Sequence, residues 1–257
     1  GASRKYSFPL LKNRFLKTNT YMGFRDVWKR LKLYRLLILI FAVSTLIIIL
    51  PLNMYNTMNS PEFSTYMGIG KCDMRIDLRK TDTITEDFKK LQDELKNDPD
   101  IKKYAAYITC SYQVKNAKKS WDYINIETGD FSVFPLKYLN GRAPKGDGEI
   151  SISYANASKD GLNKKVGDEV VVKVAGTEKT MKVCGIYQDI TNGGKTAKAD
   201  TSLGLNQDAV LWYIVNMDVV PGVNIRQKMD HYQNTYDSAK VNDIKEIGRA
   251  SCRERVS

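Results

Sequence analysis

The sequence predicts an amphipathic helix and one transmembrane α-helix followed by an α+β domain. Three observations predict it: an uncharged apolar run at Leu36–Leu52, positive charge concentrated ahead of that run, and short alternating strand and helix signals behind it.

Leu36–Leu52 reads LLILIFAVSTLIIILPL, and 13 of its residues are Leu, Ile, Val or Phe. At about 1.5 Å per residue the run spans roughly 25 Å, the short end for a bilayer crossing. Summed insertion free energies come to roughly −4 to −8 kcal/mol as an upper bound. Ser44 and Thr45 are its only polar residues, and in a helix each hydroxyl can bond back to a carbonyl one turn earlier. Leu33, Tyr34, Met54 and Tyr55 extend the apolar and interfacial contact. A core helix would carry a polar stripe, and this run has none. A signal peptide would end in a small-residue cleavage site, which Pro51-Leu52-Asn53-Met54 is not. The expected span is 36–54.

A net charge of +11 over 257 residues ordinarily points to nucleic acid. Its position points elsewhere. Residues 1–35 carry ten basic side chains against the single acid Asp26, whereas residues 36–245 are nearly balanced at 27 basic and 26 acidic. This is the positive-inside pattern, so the N-terminal flank is expected in the cytoplasm and the chain after about residue 55 outside; no nucleic-acid partner is expected. Residues 1–18 read as a basic cytoplasmic connection. Asn19 or Thr20 can cap a helix through Tyr34, and Phe24, Val27, Trp28, Leu31 and Tyr34 share one face. Residues 19–35 are therefore expected to be an amphipathic interfacial helix lying on the lipid bilayer.

Residues 55–245 are long enough for their own core and allow two subdomains. Asn56–Gly70 reads as a polar exit segment containing Pro61. Asp73–Arg79 alternates as a strand. Thr83 with Glu86 forms a capping box for a helix over Ile84–Lys96, ended by Asn97-Asp98-Pro99. Tyr104–Val114 and Trp121–Glu127 read as a hairpin through Lys115–Ser120, and residues 130–148 as loop. Glu149–Ser153 is a strand, followed by a short helix near Tyr154–Lys159. Lys165–Val174 and Lys179–Tyr187 form a hairpin around Ala175-Gly176-Thr177. Asp208–Asn216 is a further strand and Val223–Tyr236 a closing helix. Glu246–Ser257, EIGRASCRERVS, resembles a translated sequencing adapter and is expected to be an artefactual tail. With no initiator Met, the chain is expected to be a fragment cut at both ends.

Motifs for chemistry are sparse. His231 is the only histidine, in an expected surface helix. One histidine with Cys72, Cys110 and Cys184 does not supply a zinc set, and a Cys–His nucleophile is the weaker reading. The three cysteines allow one disulfide, and the sequence does not choose the pair. Gly193-Gly194-Lys195-Thr196 lacks the earlier Gly of a phosphate loop, because Asp189 stands there, and no helix pattern comes after it; it reads as a flexible basic loop. Gly68-Ile69-Gly70 is too short for a dinucleotide fingerprint. Asp98/Asp100 and Asp168/Glu169 sit in turn chemistry. No catalytic, cofactor-binding or metal-binding residue is assigned.

The order of these pieces resembles the FtsX-like (MacB-type) permeases of bacterial ABC transporters. The resemblance covers residues 19–245 and rests on Gly141, Arg142, Pro144, Glu149, Gly167, Asp168, Val183, Gly185 and Ile186, set in GRAPKGDGEISISYANASKDGL, KVGDEVVVKV and KTMKVCGIYQDITNGGKT. It implies a MacB-like periplasmic core type of extracytoplasmic domain and a non-catalytic membrane subunit. It also implies an ABC ATPase on a partner chain, a homodimer or pseudo-dimer of permease halves, and an extracellular peptide, lipoprotein or cell-wall enzyme as the object of its action. The alternative is a single-pass membrane-anchored sensor or extracellular ligand-binding module. Gly167-Asp168 suits a turn, and Gly185 within a strand marks a bulge or a close backbone approach.

Overall fold

The computed structural model describes residues 18–60, 62–204 and 209–244. The expectations for residues 1–17, Pro61, Asp208 and the tail lie outside them, as do the side chains of Phe24, Trp28 and Leu31. The chain divides between Thr57 and Met58 into two compact units.

In the first unit α1 covers Thr18–Lys29 and α2 covers Leu31–Met58, the latter continuing one residue into the second unit. The one helix expected up to Tyr34 is thus interrupted at Arg30. There the Arg30 N–H bonds to the Val27 carbonyl three residues back (3.1 Å), a tighter turn than the α-helix allows. From Lys32 to Met58, α2 is long and apolar enough to cross a membrane, and its most apolar window buries nothing. The Thr45 hydroxyl donates to the Phe41 carbonyl at 2.7 Å, the back-bond expected of it. Pro51 lies inside the helix and leaves the Ile47 carbonyl without its helical donor.

In the second unit the elements are α3 (Phe63–Tyr66), β1 (Met74–Arg79), α4 (Ile84–Asn97), β2 (Ile101–Lys115), β3 (Trp121–Gly129), β4 (Tyr138–Gly141) and β5 (Glu149–Ser153). Next come α5 (Tyr154–Ala157), β6 (Glu169–Val174), β7 (Thr177–Tyr187), β8 (Thr196–Ala199), β9 (Val210–Val219), α6 (Ile225–Thr235) and β10 (Ala239–Asp243). The α+β expectation holds.

The strands form one mixed sheet in the order β10-β1-β9-β2-β3-β8-β5-β7-β4, with β6 bridging β7 and β2. Two substructures share β2. Strands β10, β1, β9 and the first part of β2 each run antiparallel to their neighbours, so β1 is parallel to β2 and β9 to β10, and α4 and α6 are the crossovers of a split βαβ pair. Strands β2, β3, β8, β5, β7 and β6 close into a ring, completed where Gln113 and Val114 meet Lys173 and Val172. In sequence the ring is inserted between β2 and β9. Register shifts at Ile101/Lys103 and Thr109/Cys110 bend β2 as it passes from one to the other.

The main core joins the inward faces of both parts. Met74, Ile76 and Leu78 from β1 and Val215 and Met217 from β9 meet the Phe88, Leu91 and Leu95 stripe of α4 and Tyr232 of α6. A smaller cluster covers the opposite sheet face, where Ile69, Tyr107, Phe131, Phe134, Ile214 and Ile244 pack together.

Four expectations are corrected. The sequence reading gives three strands, β4, β8 and β10, as loop or not at all: each is only four or five residues long, too short for its pattern to stand out. Val223–Tyr236 is not the closing element, because β10 comes after α6 and pairs with β1. The capping box does not form. Thr83 stands at φ −100°, ψ 4° and caps nothing with its side chain, and its hydroxyl donates instead to Asp87 Oδ2 at 2.9 Å. Finally, the polar exit segment does not begin at Asn56. α2 runs through Met58, and residues 62–70 are built into the domain: Ile190 N–H donates to the Tyr66 carbonyl at 3.0 Å, Met67 bridges to Asp189, and Ile69 is buried. Gly70 must be Gly, because a Cβ there would strike the Phe134 carbonyl.

Candidate functional site

The alternation of β1 places Met74, Ile76 and Leu78 in the core, so Arg75, Asp77 and Arg79 must share the opposite face. Register carries that face across the sheet in rows. One row runs Asn242, Arg75, Asn216, Ala105 and the next Lys240, Asp77, Ile214, Tyr107. A third runs Arg79, Trp212, Thr109, Glu127, Lys198 and so reaches into the ring. Arg75, Asp77, Lys240 and Asn242 from the first two rows and the whole third row line a cleft of about 430 Å³ together with Met67–Ile69, Asp189 and Ile244.

The cleft is strongly polar at its floor. Lys198 Nζ lies 2.6 Å from Glu127 Oε1, with side chains 6% and 16% exposed. The same ammonium sits over the Phe131 and Tyr187 rings at 5.0 and 5.3 Å. Arg75 Nε donates to Asp77 Oδ1 at 2.8 Å, and Asn242 Nδ2 donates to Asp77 Oδ2 at 3.0 Å. Burial works against the Arg75 cation, but the Asp77 and Glu127 carboxylates outweigh it and raise its pKa further above the ordinary value. Thr109 Oγ1 is buried there without a hydrogen-bond partner among the described residues. None of these residues was singled out from the sequence. For Arg75, Asp77 and Arg79 the signal was available in the alternation of MRIDLR; for Lys198, in a four-residue strand, it was not.

The residues that were singled out have structural partners. His231 Nε2 lies 2.6 Å from Glu94 Oε1, tying α6 to α4. Lys228 Nζ bridges Asp98 and Asp100 at 2.6 and 2.9 Å. Burial disfavours the Asp98 carboxylate, yet Lys228, the Asp100 N–H and the Tyr232 hydroxyl together hold its pKa below the ordinary range. Asp168 Oδ2 accepts from Lys165 N at 2.8 Å, so Lys165–Asp168 is a turn and only β6 of the expected longer strand forms. Cys72, Cys110 and Cys184 are buried and form no disulfide among the described residues, and burial pushes Cys72 up to about 12 and Cys184 up to about 11, away from nucleophilic use.

The Gly193-Gly194-Lys195-Thr196 turn is neither a phosphate loop nor loosely held. Lys195 Nζ pairs with Asp122 at 3.2 Å, and the Thr196 hydroxyl donates to Asp189 Oδ2 at 2.6 Å. Ser153 Oγ donates to the Gly194 carbonyl, and Asn156 Nδ2 to the Thr196 carbonyl at 2.9 Å. The turn leads into strand β8 rather than into a helix.

The residues that carried the family resemblance meet at the junction of β4, β5 and β7. Arg142 clasps Glu149 through Nη1–Oε2 (2.7 Å) and Nη2–Oε1 (2.5 Å). Gly141, at φ +74°, and Gly185 let β4 and β7 approach, since a Cβ on Gly141 would strike the Cys184 carbonyl and one on Gly185 the Arg142 carbonyl. The register shift beside Gly185 is the expected irregularity. Gly167 turns at φ +97°. The Arg142 guanidinium, with the Lys145 N–H, draws the Glu149 pKa down to about 2. A carboxylate depressed this way stabilises the fold fully above its unfolded pKa of about 4.3, and the contribution disappears as pH falls toward 2. Urea midpoints should therefore fall between those pH values, and Glu149→Gln should flatten the fall; an unchanged pH profile for the variant would refute this role.

Compared by sequence, the chain matches no family model and no curated protein. By structure it is similar to the periplasmic region of MacB from Actinobacillus actinomycetemcomitans, at 14% identity over 71% of this chain and 94% of that one, TM-score 0.46. It is also similar to the extracellular domain of YknZ, a noncanonic ABC-type transporter from Gram-positive bacteria, at 14% identity over 66% of this chain and 98% of that one, TM-score 0.43. A third similarity is to a domain described as that of a permease protein from Porphyromonas gingivalis, at 10% identity over 66% and 90%, TM-score 0.42. On its own structure the chain is an α+β domain of one mixed sheet behind an apolar helix of membrane-spanning length.

Proposed function

We propose that this chain is a permease subunit of a bacterial ABC transporter of the FtsX-like, MacB-type kind. Its N-terminal flank lies in the cytoplasm, α2 spans the bilayer, and the α+β domain stands outside. ATP is hydrolysed by a separate subunit, and the domain acts by changing position rather than by chemistry. The observation that carries this reading is the arrangement of the domain's ends. The Ile244 N–H donates to the Asp73 carbonyl at 3.1 Å, and Met74 pairs with Asp243, so the chain comes in and goes out side by side. A domain with adjoining ends suits insertion between two membrane segments. Residues 62–70 are built into that domain, so a displacement that reaches Glu62 would be passed on to β1.

The test is affinity capture of the full chain from crosslinked native membranes. An ABC ATPase should be retrieved, and a Gly/Ser insertion between Ser60 and Glu62 should leave that capture intact while changing the ATPase rate of the complex. Retrieval of a kinase or other output protein, with no ATPase, would overturn the reading. The cleft favours a second reading, an anchored ligand-binding module, and that outcome would support it.

A further inference from the structure

We propose that the cleft over β1, β9 and β2 is a binding site for an oxyanion, the carboxylate or phosphate group of a small polar ligand, with Arg75 as its anchor. The inference rests on the cleft alone and is independent of ATP coupling. The Arg75 side chain is only 15% exposed. Its one side-chain hydrogen bond among the described residues is the Nε contact to Asp77, which leaves the four N–H donors of the two terminal nitrogens to spare on a residue that lines the cleft. A guanidinium this far withdrawn from solvent ordinarily has its fork filled, and that fork matches two oxygens of a carboxylate or phosphate.

The neighbouring carboxylates already have other partners. Asp77 divides its oxygens between Arg75 and Asn242, Glu127 is held by Lys198, and Asp189 accepts from Thr191 and Thr196. The Thr109 hydroxyl, 3% exposed and unpartnered, is a further group on the same floor. At the rim, Arg79 and Lys240 form no ion pair among the described residues. The lining holds four cationic side chains against three anionic ones, and two of the cations, Arg79 and Lys240, have no ion-pair partner among the described residues, so an anion gains more here than a cation.

The experiment is calorimetric titration of the full chain in maltoside micelles. The probes are inorganic phosphate, triglycine and triglycine amide, with chloride at matched ionic strength as the control. Saturable heat is expected from phosphate or triglycine, and none from the amide or chloride. The tighter of the two identifies whether the natural group is a phosphate or a carboxylate. Arg75→Gln should weaken binding by about tenfold or more. Because that change could disturb the fold, Arg79→Gln with Lys240→Gln, both at the rim, is the second variant and should weaken it by a factor of about three at low salt. No saturable heat from either oxyanion would overturn the proposal, as would equal affinity in both variants; the Arg75 fork is then simply hydrated.

Discussion

Replacing Lys198 by Met is expected to destabilise the α+β domain by about 3–5 kcal/mol. The ammonium is 6% exposed and 2.6 Å from Glu127 Oε1. Removing it leaves a carboxylate withdrawn from water without its ion-pair partner and with only the unbonded charge of Arg75 nearby, and that desolvation costs more than the Coulomb energy an exposed pair would lose. Met keeps the apolar stem and can still touch the Phe131 and Tyr187 rings, so the lost packing is small. The companion variant separates the two effects. Glu127→Leu combined with Lys198→Met removes both charges, and it should recover most of the loss. Urea unfolding monitored by near-UV circular dichroism of the full chain in micelles measures both. A single-variant loss below about 1 kcal/mol would mean that Lys198 behaves as a surface pair does.

Leu91→Ala is expected to cost about 2–5 kcal/mol. Leu91 is fully buried on the α4 stripe with Ile84, Phe88 and Leu95, in the core that α4 forms with β1 and β2. Ala is a better helix former, so local propensity opposes the change by only a few tenths of a kcal/mol, and the cavity decides the sign. Lys89→Ala, exposed on the same helix, should move stability by less than about 0.5 kcal/mol. Equal effects of the two substitutions would show that α4 is not packed as described.

Periodicity made part of this architecture legible. An uncharged run long enough to span a bilayer needs no tertiary context to be recognised, nor does the Phe88–Leu91–Leu95 stripe, nor the alternation that puts Met74, Ile76 and Leu78 on one side of β1. The two-residue turn at Ala175 and Gly176, both at positive φ, fixed the β6–β7 hairpin locally. These are properties of neighbouring residues, and a chain of this composition carries them wherever it folds.

What only the tertiary structure decided is long-range pairing. β8 is four residues, Thr-Ala-Lys-Ala, all buried, and it is a strand because β3 and β5 stand on either side of it. β10 exists because β1 offers it an edge, and the closure of β6 onto β2 depends on the bend in β2. Thr83 looked like a cap, but its backbone angles turned the hydroxyl to Asp87. The cleft belongs to the same class. Arg75, Thr109 and Lys198 come from three separate strands, and register alone brings them together. A sequence shows which side of its own strand each residue takes; the strand lying beside it is set by closing loops of many residues, and no local pattern records that.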